Sequence, residues 1–281
     1  MLKRAALALP RALGRDKGRS MQGSARHAPE ATNRLDALLA SRRRLLIGYF
    51  PAGDPRVPVE LIDVYAECGV DVLEIGIKAR EPFMDGEVVA ASMERSTGRG
   101  ALEDARPVLD RLRARGRDMA ALVFAYYHEF PKLPAPASWR GIDGLLGLPG
   151  AETSPDTAIR AAARSRGVRT AEFMPYEFGP ADVERCRRAE AYVMLQAAPG
   201  RTGAREHLDP ASAARIRRLR EAGVTAPIVL GFGISRPQHA AQAIEMGADG
   251  IVVGSRCVDK CLEGEDVLAA FLAGMRAGLD G

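Results

Sequence analysis

The chain has 281 residues, with 40 Lys and Arg against 36 Asp and Glu, 47% hydrophobic and 5% aromatic residues. This composition excludes a disordered, collagen-like or coiled-coil chain, and no apolar run approaches the roughly 20 residues that a bilayer-spanning helix needs. A length near 280 suits two small domains or one α/β barrel of about 250 residues.

The charge is uneven. Seven basic residues (Lys3, Arg4, Arg11, Arg15, Lys17, Arg19 and Arg26) and a single acid, Asp16, fall in the first 29 positions, which leaves the remainder slightly acidic. The sequence pI near 9.0 therefore belongs to the tail and gives no reason to expect a nucleic-acid partner. Two readings stay open for the tail: an Arg-rich targeting peptide, or a disordered basic extension over 1–30 with Met21 as an alternative start. The extension is the expected one. The four cysteines and four histidines show neither a CxxC pair nor metal-ligand spacing, so no metal site and no disulfide framework is expected.

A helix is predicted over Asn33–Arg44, where Leu35, Leu38 and Leu39 recur at helical spacing. Strands and helices then alternate. Strand Leu45–Phe50 precedes helix Val57–Cys68, and strand Val72–Ile77 precedes helices Val88–Arg95 and Leu102–Arg115. Strands follow at Met119–Ala125 and Gly144–Leu148, then a helix over Ala158–Arg166. Strand Arg169–Met174 leads to a short helix near Ala181–Arg187, and strand Ala191–Leu195 to helix Asp209–Ala222. Strand Pro227–Gly231 is followed by helix Pro237–Met246, strand Gly250–Gly254 by a helix carrying Cys257 and Cys261 as core residues, and Val267–Gly278 is the last helix. Eight βα units with short apolar strands predict a single (β/α)8 TIM barrel over 31–281 with an extra N-terminal helix. A doubly wound sheet would more often carry GxGxxG after its first strand, where this chain has PAGDP.

In such a barrel the chemistry belongs at the carboxyl ends of the strands. Period two along VLEIGI turns Val72, Glu74 and Gly76 inward and Leu73, Ile75 and Ile77 outward. A buried Glu74 is either a structural ion-pair partner or a carboxyl whose raised pKa suits acid–base work; the second is expected. Asp85 in PFMDG, eleven residues on, converges on the same pocket. Glycine-rich segments after strands six (PGRTG), seven (LGFGIS) and eight (VVGSR) leave backbone N–H groups free to hold a phosphate.

In order and position, AGDP (52–55), EIGI (74–77), EPFMDG (81–86), RTGA (201–204), GFGIS (231–235) and GSR (254–256) resemble the tryptophan synthase α-subunit family over nearly all of the chain after Asn33. The resemblance implies a cytoplasmic lyase that cleaves indole-3-glycerol phosphate to indole and glyceraldehyde 3-phosphate, without a cofactor. It implies that Glu74 exchanges protons with indole C3 and the side-chain hydroxyl, and that Asp85 accepts the indole N–H. Tyr49 and Tyr126 match positions lining the indole pocket, and Thr202 the loop threonine that orders the closed site. Gly233, Gly254 and Ser255, with Gly203 nearby, match the phosphate cradle. It also implies a partner, a PLP-dependent tryptophan synthase β-subunit. The chain departs from the family pattern at Lys78, Arg80, Glu87, Ala90, His128, Gly147 and Met194. Two alternatives follow: the same scaffold acting on a different phosphorylated substrate, with Lys78, Arg80 and His128 as new pocket groups, or a non-catalytic phosphate-ligand-binding subunit.

Overall fold

A computed structural model of the chain describes residues 33–116, 118–130, 133–148, 156–203 and 206–281. The basic segment 1–30, including Met21, lies outside them, as does Ala204 of RTGA. Eight parallel strands close a barrel in sequence order: β1 (Leu45–Pro51), β2 (Val72–Gly76), β3 (Ala120–Tyr126), β4 (Gly144–Leu148), β5 (Arg169–Met174), β6 (Val193–Gln196), β7 (Ile228–Gly231) and β8 (Gly250–Val253). The ring is sealed by β1 pairing with β8, with Leu45 opposite Gly250. The (β/α)8 expectation holds.

Every strand except the first residue of β5 is buried along its length, so each has two apolar faces rather than one. The alternation sorts the side chains into two cores. Leu45, Ile47, Val72, Leu122, Phe124, Leu146, Phe173, Met194, Val229 and Val252 pack inside the barrel. Leu46, Phe50, Leu73, Ile75, Val123, Leu145, Leu195, Leu230 and Ile251 pack outward against the helices. The predicted faces of β2 are the observed ones.

The outer layer holds α2 (Ile62–Glu67), α3 (Glu87–Arg95), α4 (Arg106–Ala114), α5 (Asp156–Arg164), α6 (Pro180–Cys186), α7 (Ala211–Glu221), α8 (Pro237–Glu245), α9 (Ser255–Glu263) and α10 (Glu265–Asp280). The helix expected over Val57–Cys68 is a 3-10 turn at Val59–Leu61 running into α2; Pro58 is extended (ψ 140°) and disfavours helix at Val57, so the helical segment starts after it. The C-terminal helices divide at Gly264, whose φ of +126° no helix accommodates. Cys257 and Cys261 are buried in the outer core, as expected. No helix among the described residues is long and apolar enough to cross a membrane.

The N-terminal helix α1 (Arg34–Ala40) plugs the bottom of the barrel. Asn33 caps it by accepting from Leu35 N, and the fully buried Leu35 side chain joins the inner core. The same bottom face carries a device the sequence reading passed over, G-x-D before strands two, four and eight. Each aspartate accepts from a backbone amide on the neighbouring strand: Asp71 from Leu46 N (2.9 Å), Asp143 from Ala121 N (2.8 Å) and Asp249 from Ile228 N (2.7 Å). Each is held by arginine: Asp71 by Arg43 and Arg276, Asp143 by Arg113, Asp249 by Arg220.

These carboxylates satisfy amides that the barrel end would otherwise leave without strand partners. Removing one strands both an amide and a guanidinium. Asp143→Ala is expected to cost about 3 kcal/mol in urea unfolding, because the carboxylate is 5% exposed and its loss leaves Arg113 uncompensated.

Candidate active site

The inward face of β2 puts Glu74 inside the barrel, 4% exposed and paired in register with Tyr49 of β1. Tyr192, immediately before β6, donates to Glu74 Oε2 at 3.1 Å. Burial pushes the Glu74 carboxyl up to about 7; the nearby Asp85 charge adds to the rise and the Tyr192 bond opposes it.

Asp85 is positioned by the loop after β2. Glu129 pins the start of that loop by accepting from Arg80 N (2.6 Å) and Glu81 N (2.7 Å). Tyr126, at the end of β3, donates to Asp85 Oδ2 at 2.7 Å and accepts from Met84 N at 3.3 Å. The β6 loop clasps the β2 loop from above: Thr202 N donates to Met84 O (3.0 Å) and Gly86 N to Thr202 Oγ1 (2.7 Å). Burial raises the Asp85 carboxyl to about 6, against the hydrogen bonds from Tyr126 and Thr202.

The two carboxyls open into one cavity of about 580 Å³, part of it open to solvent. Its walls are apolar, with Phe124, Leu148, Phe173, Met194, Ile234 and Val252 among them. Gly203, Gly233, Gly254 and Ser255 line it as well. Ser255 opens α9, so the N-terminal amides and positive dipole end of that helix face the cavity. No lysine or arginine is among the described lining residues. An anion bound there would rest on backbone N–H groups rather than on a cation.

Two further residues shape that end. Phe232 lines the cavity at φ +71°, a conformation costly for an aromatic residue and common where a site constrains the backbone. His239, 2% exposed, accepts from Ser235 N at Nδ1 (3.3 Å) and lies 3.1 Å through Nε2 from the Glu206 carbonyl, tying the β7 loop to the β6 loop. Sequence reasoning missed Tyr192, Phe232 and His239. The first was reachable: it stands two positions before Met194, so period two turns both inward.

Of the nine residues singled out from sequence, eight line the cavity: Tyr49, Glu74, Asp85, Thr202, Gly203, Gly233, Gly254 and Ser255. Tyr126 stands behind Asp85 and holds it instead. Of the departures, Met194 lines the cavity, while Lys78, Arg80, His128 and Gly147 do not. Lys78 Nζ donates to Ser96 O at 2.7 Å, the Arg80 side chain is 85% exposed, and His128 packs its ring on Phe83 and Tyr126 at the rim. Gly147 faces away from the cavity. A Cβ there would lie 1.8 Å from the Tyr127 ring, so glycine makes room for that buried tyrosine. The alternative in which Lys78, Arg80 and His128 become groups of this pocket is not favoured.

The tryptophan synthase alpha chain family model matches residues 35–275. The chain belongs to this family. Alpha chains of similar sequence include that of Xanthomonas oryzae, 34% identical over 272 residues (88% of this chain, 97% of the relative), and that of Halalkalibacterium halodurans, 30% identical over 245 residues (84% and 91%). Among solved structures, Mycobacterium tuberculosis tryptophan synthase superposes with a TM-score of 0.73 at 26% identity, covering 88% of this chain and 96% of that one. The alpha subunit from Legionella pneumophila shares the fold, with a TM-score of 0.74 at 23% identity over 89% and 99% of the chains.

The raised Glu74 carboxyl gives stability a pH dependence. The native state holds the proton more tightly than the unfolded chain, so stability falls as pH rises from the usual carboxyl range through about 7. Glu74→Gln lacks that slope. The stability of the variant relative to the parent, measured by urea unfolding, is expected to be about 2 kcal/mol more favourable at pH 8 than at pH 5.

Proposed function

We propose that the protein is a carbon–carbon lyase that cleaves indole-3-glycerol phosphate to indole and glyceraldehyde 3-phosphate. The observation that carries this reading is the pair of buried carboxyls, Glu74 and Asp85, with pKa values raised to about 7 and about 6, in one apolar cavity that also exposes backbone amides. Near neutral pH Glu74 is substantially protonated while Asp85 is mostly ionised. That division matches an acid and an anionic acceptor acting on one substrate.

The indole N–H donates to the Asp85 carboxylate. Glu74 gives its proton to C3, and the positive charge that develops on the ring nitrogen is stabilised by Asp85. The bond from C3 to the side chain then breaks, and its electron pair restores the aromatic ring. The hydroxyl on the departing carbon loses its proton to Glu74 as the aldehyde forms, so Glu74 ends as it began and no external acid, base or cofactor is consumed. The phosphate rests on the amides of Gly233, Gly254 and Ser255, and Thr202 with Gly203 keeps the β6 loop over the bound substrate. The apolar walls hold the indole ring and exclude water.

Family membership and the cavity mouth support a PLP-dependent tryptophan synthase β-subunit as partner. Phe83, on the loop that carries Asp85, is 44% exposed at that mouth. The biosynthetic role accords with a cytoplasmic location.

Indole release from indole-3-glycerol phosphate tests the reading, with the purified protein alone and with a β-subunit added. Glu74→Gln and Asp85→Asn are each expected to lower release by at least about 100-fold. Unchanged turnover in either variant, or no release by the parent under both conditions, refutes the proposal.

A further inference from the structure

Tyr49 presents a buried hydroxyl that nothing among the described residues uses. The residue is 3% exposed and its ring meets Phe124 edge-on at 6.3 Å. Starting from β1, the side chain reaches across β2: a Cβ on Gly76 would lie 2.0 Å from Tyr49 Oη. Gly76 is the next inward position after Glu74 toward the mouth, and the Asp85 loop follows it. The phenol therefore stands between the level of Glu74 and the loop that brings Asp85, on the cavity wall. Among the described residues its Oη has no hydrogen-bond partner.

The neighbouring hydroxyls are committed. Tyr126 donates to Asp85, Tyr192 donates to Glu74, and Thr202 Oγ1 accepts from Gly86 N and hydrogen-bonds Asp85. A buried unpaired hydroxyl is destabilising, and phenylalanine would fill the same volume without that cost. With Glu74 and Asp85 both nearby and burial disfavouring the phenolate, the group is a neutral donor.

We propose that Tyr49 Oη donates a hydrogen bond to a side-chain hydroxyl oxygen of the bound substrate and so selects a hydroxylated three-carbon phosphate side chain over a plain alkyl one. The inference rests on the lyase reading. The other substrate groups already have partners there: the indole N–H requires an acceptor, which is Asp85, and the phosphate lies with the amides of the β7 and β8 loops. The hydroxyls beside Glu74 remain, at the level where the phenol stands.

The test compares Tyr49→Phe with the parent on two ligands: indole-3-glycerol phosphate as substrate, and indole-3-propyl phosphate, which lacks the hydroxyls, as competitive inhibitor. Thermal unfolding of both proteins is measured alongside. The expected result is a drop of about tenfold in kcat/KM for the substrate, an inhibition constant for the propyl analogue unchanged within about twofold, and a Tm equal to or above the parent's. Equal weakening of both ligands, weakening of neither, or a lower Tm overturns the proposal, since each marks the hydroxyl as structural or idle. Failure of the parent itself to cleave the substrate or bind the analogue overturns the lyase reading and this assignment together.

Discussion

Desolvation of one carboxyl inside the barrel is the constraint on which the site depends. A parallel barrel buries both faces of its strands, so a glutamate at an inward position is largely desolvated. Among the described residues Glu74 is hydrogen-bonded by the Tyr192 hydroxyl, and its proton is held up to about neutral pH. The same burial that costs stability above that pH makes the group able to give and take a proton near it. Asp85 is raised by the same burial, against bonds from a second tyrosine and Thr202, and starts from the lower ordinary value of an aspartate.

The two ends of the barrel divide the work. The bottom is closed by charge: Asp71, Asp143 and Asp249 each fasten a neighbouring strand through an amide and take an arginine, while α1 fills the opening with Leu35. The top is built from loops that hold one another. Glu129 fixes the start of the β2 loop, Thr202 joins that loop to the β6 loop, and His239 joins the β6 loop to the β7 loop.

The positions at which the chain leaves the family pattern sort by direction. Lys78, Arg80 and His128 point to the rim, where a charge or an imidazole meets solvent or a backbone carbonyl and leaves the cavity chemistry untouched. Gly147 and Tyr127 form a compensated pair on the outer face of β4, the glycine making space for the ring. Met194 alone among these reaches the cavity wall, and it keeps that wall apolar.

The sequence by itself determined the barrel, the inward face of β2 and the identity of the two carboxyls. Strand alternation is a local property, and a glutamate among aliphatic residues is visible without coordinates. The glycine-rich turns after strands six, seven and eight were legible for the same reason, since their composition is their signal. Only the tertiary structure decided which groups surround the carboxyls. Tyr192 comes from the far side of the barrel, 118 positions from Glu74, and Tyr126 turned out to hold Asp85 rather than line the pocket. The empty hydrogen-bonding position at Tyr49 and the outward turn of Gly147 likewise depend on where a neighbouring ring lies in space. Residue order specifies what each strand offers to the interior; barrel closure sets which offers meet.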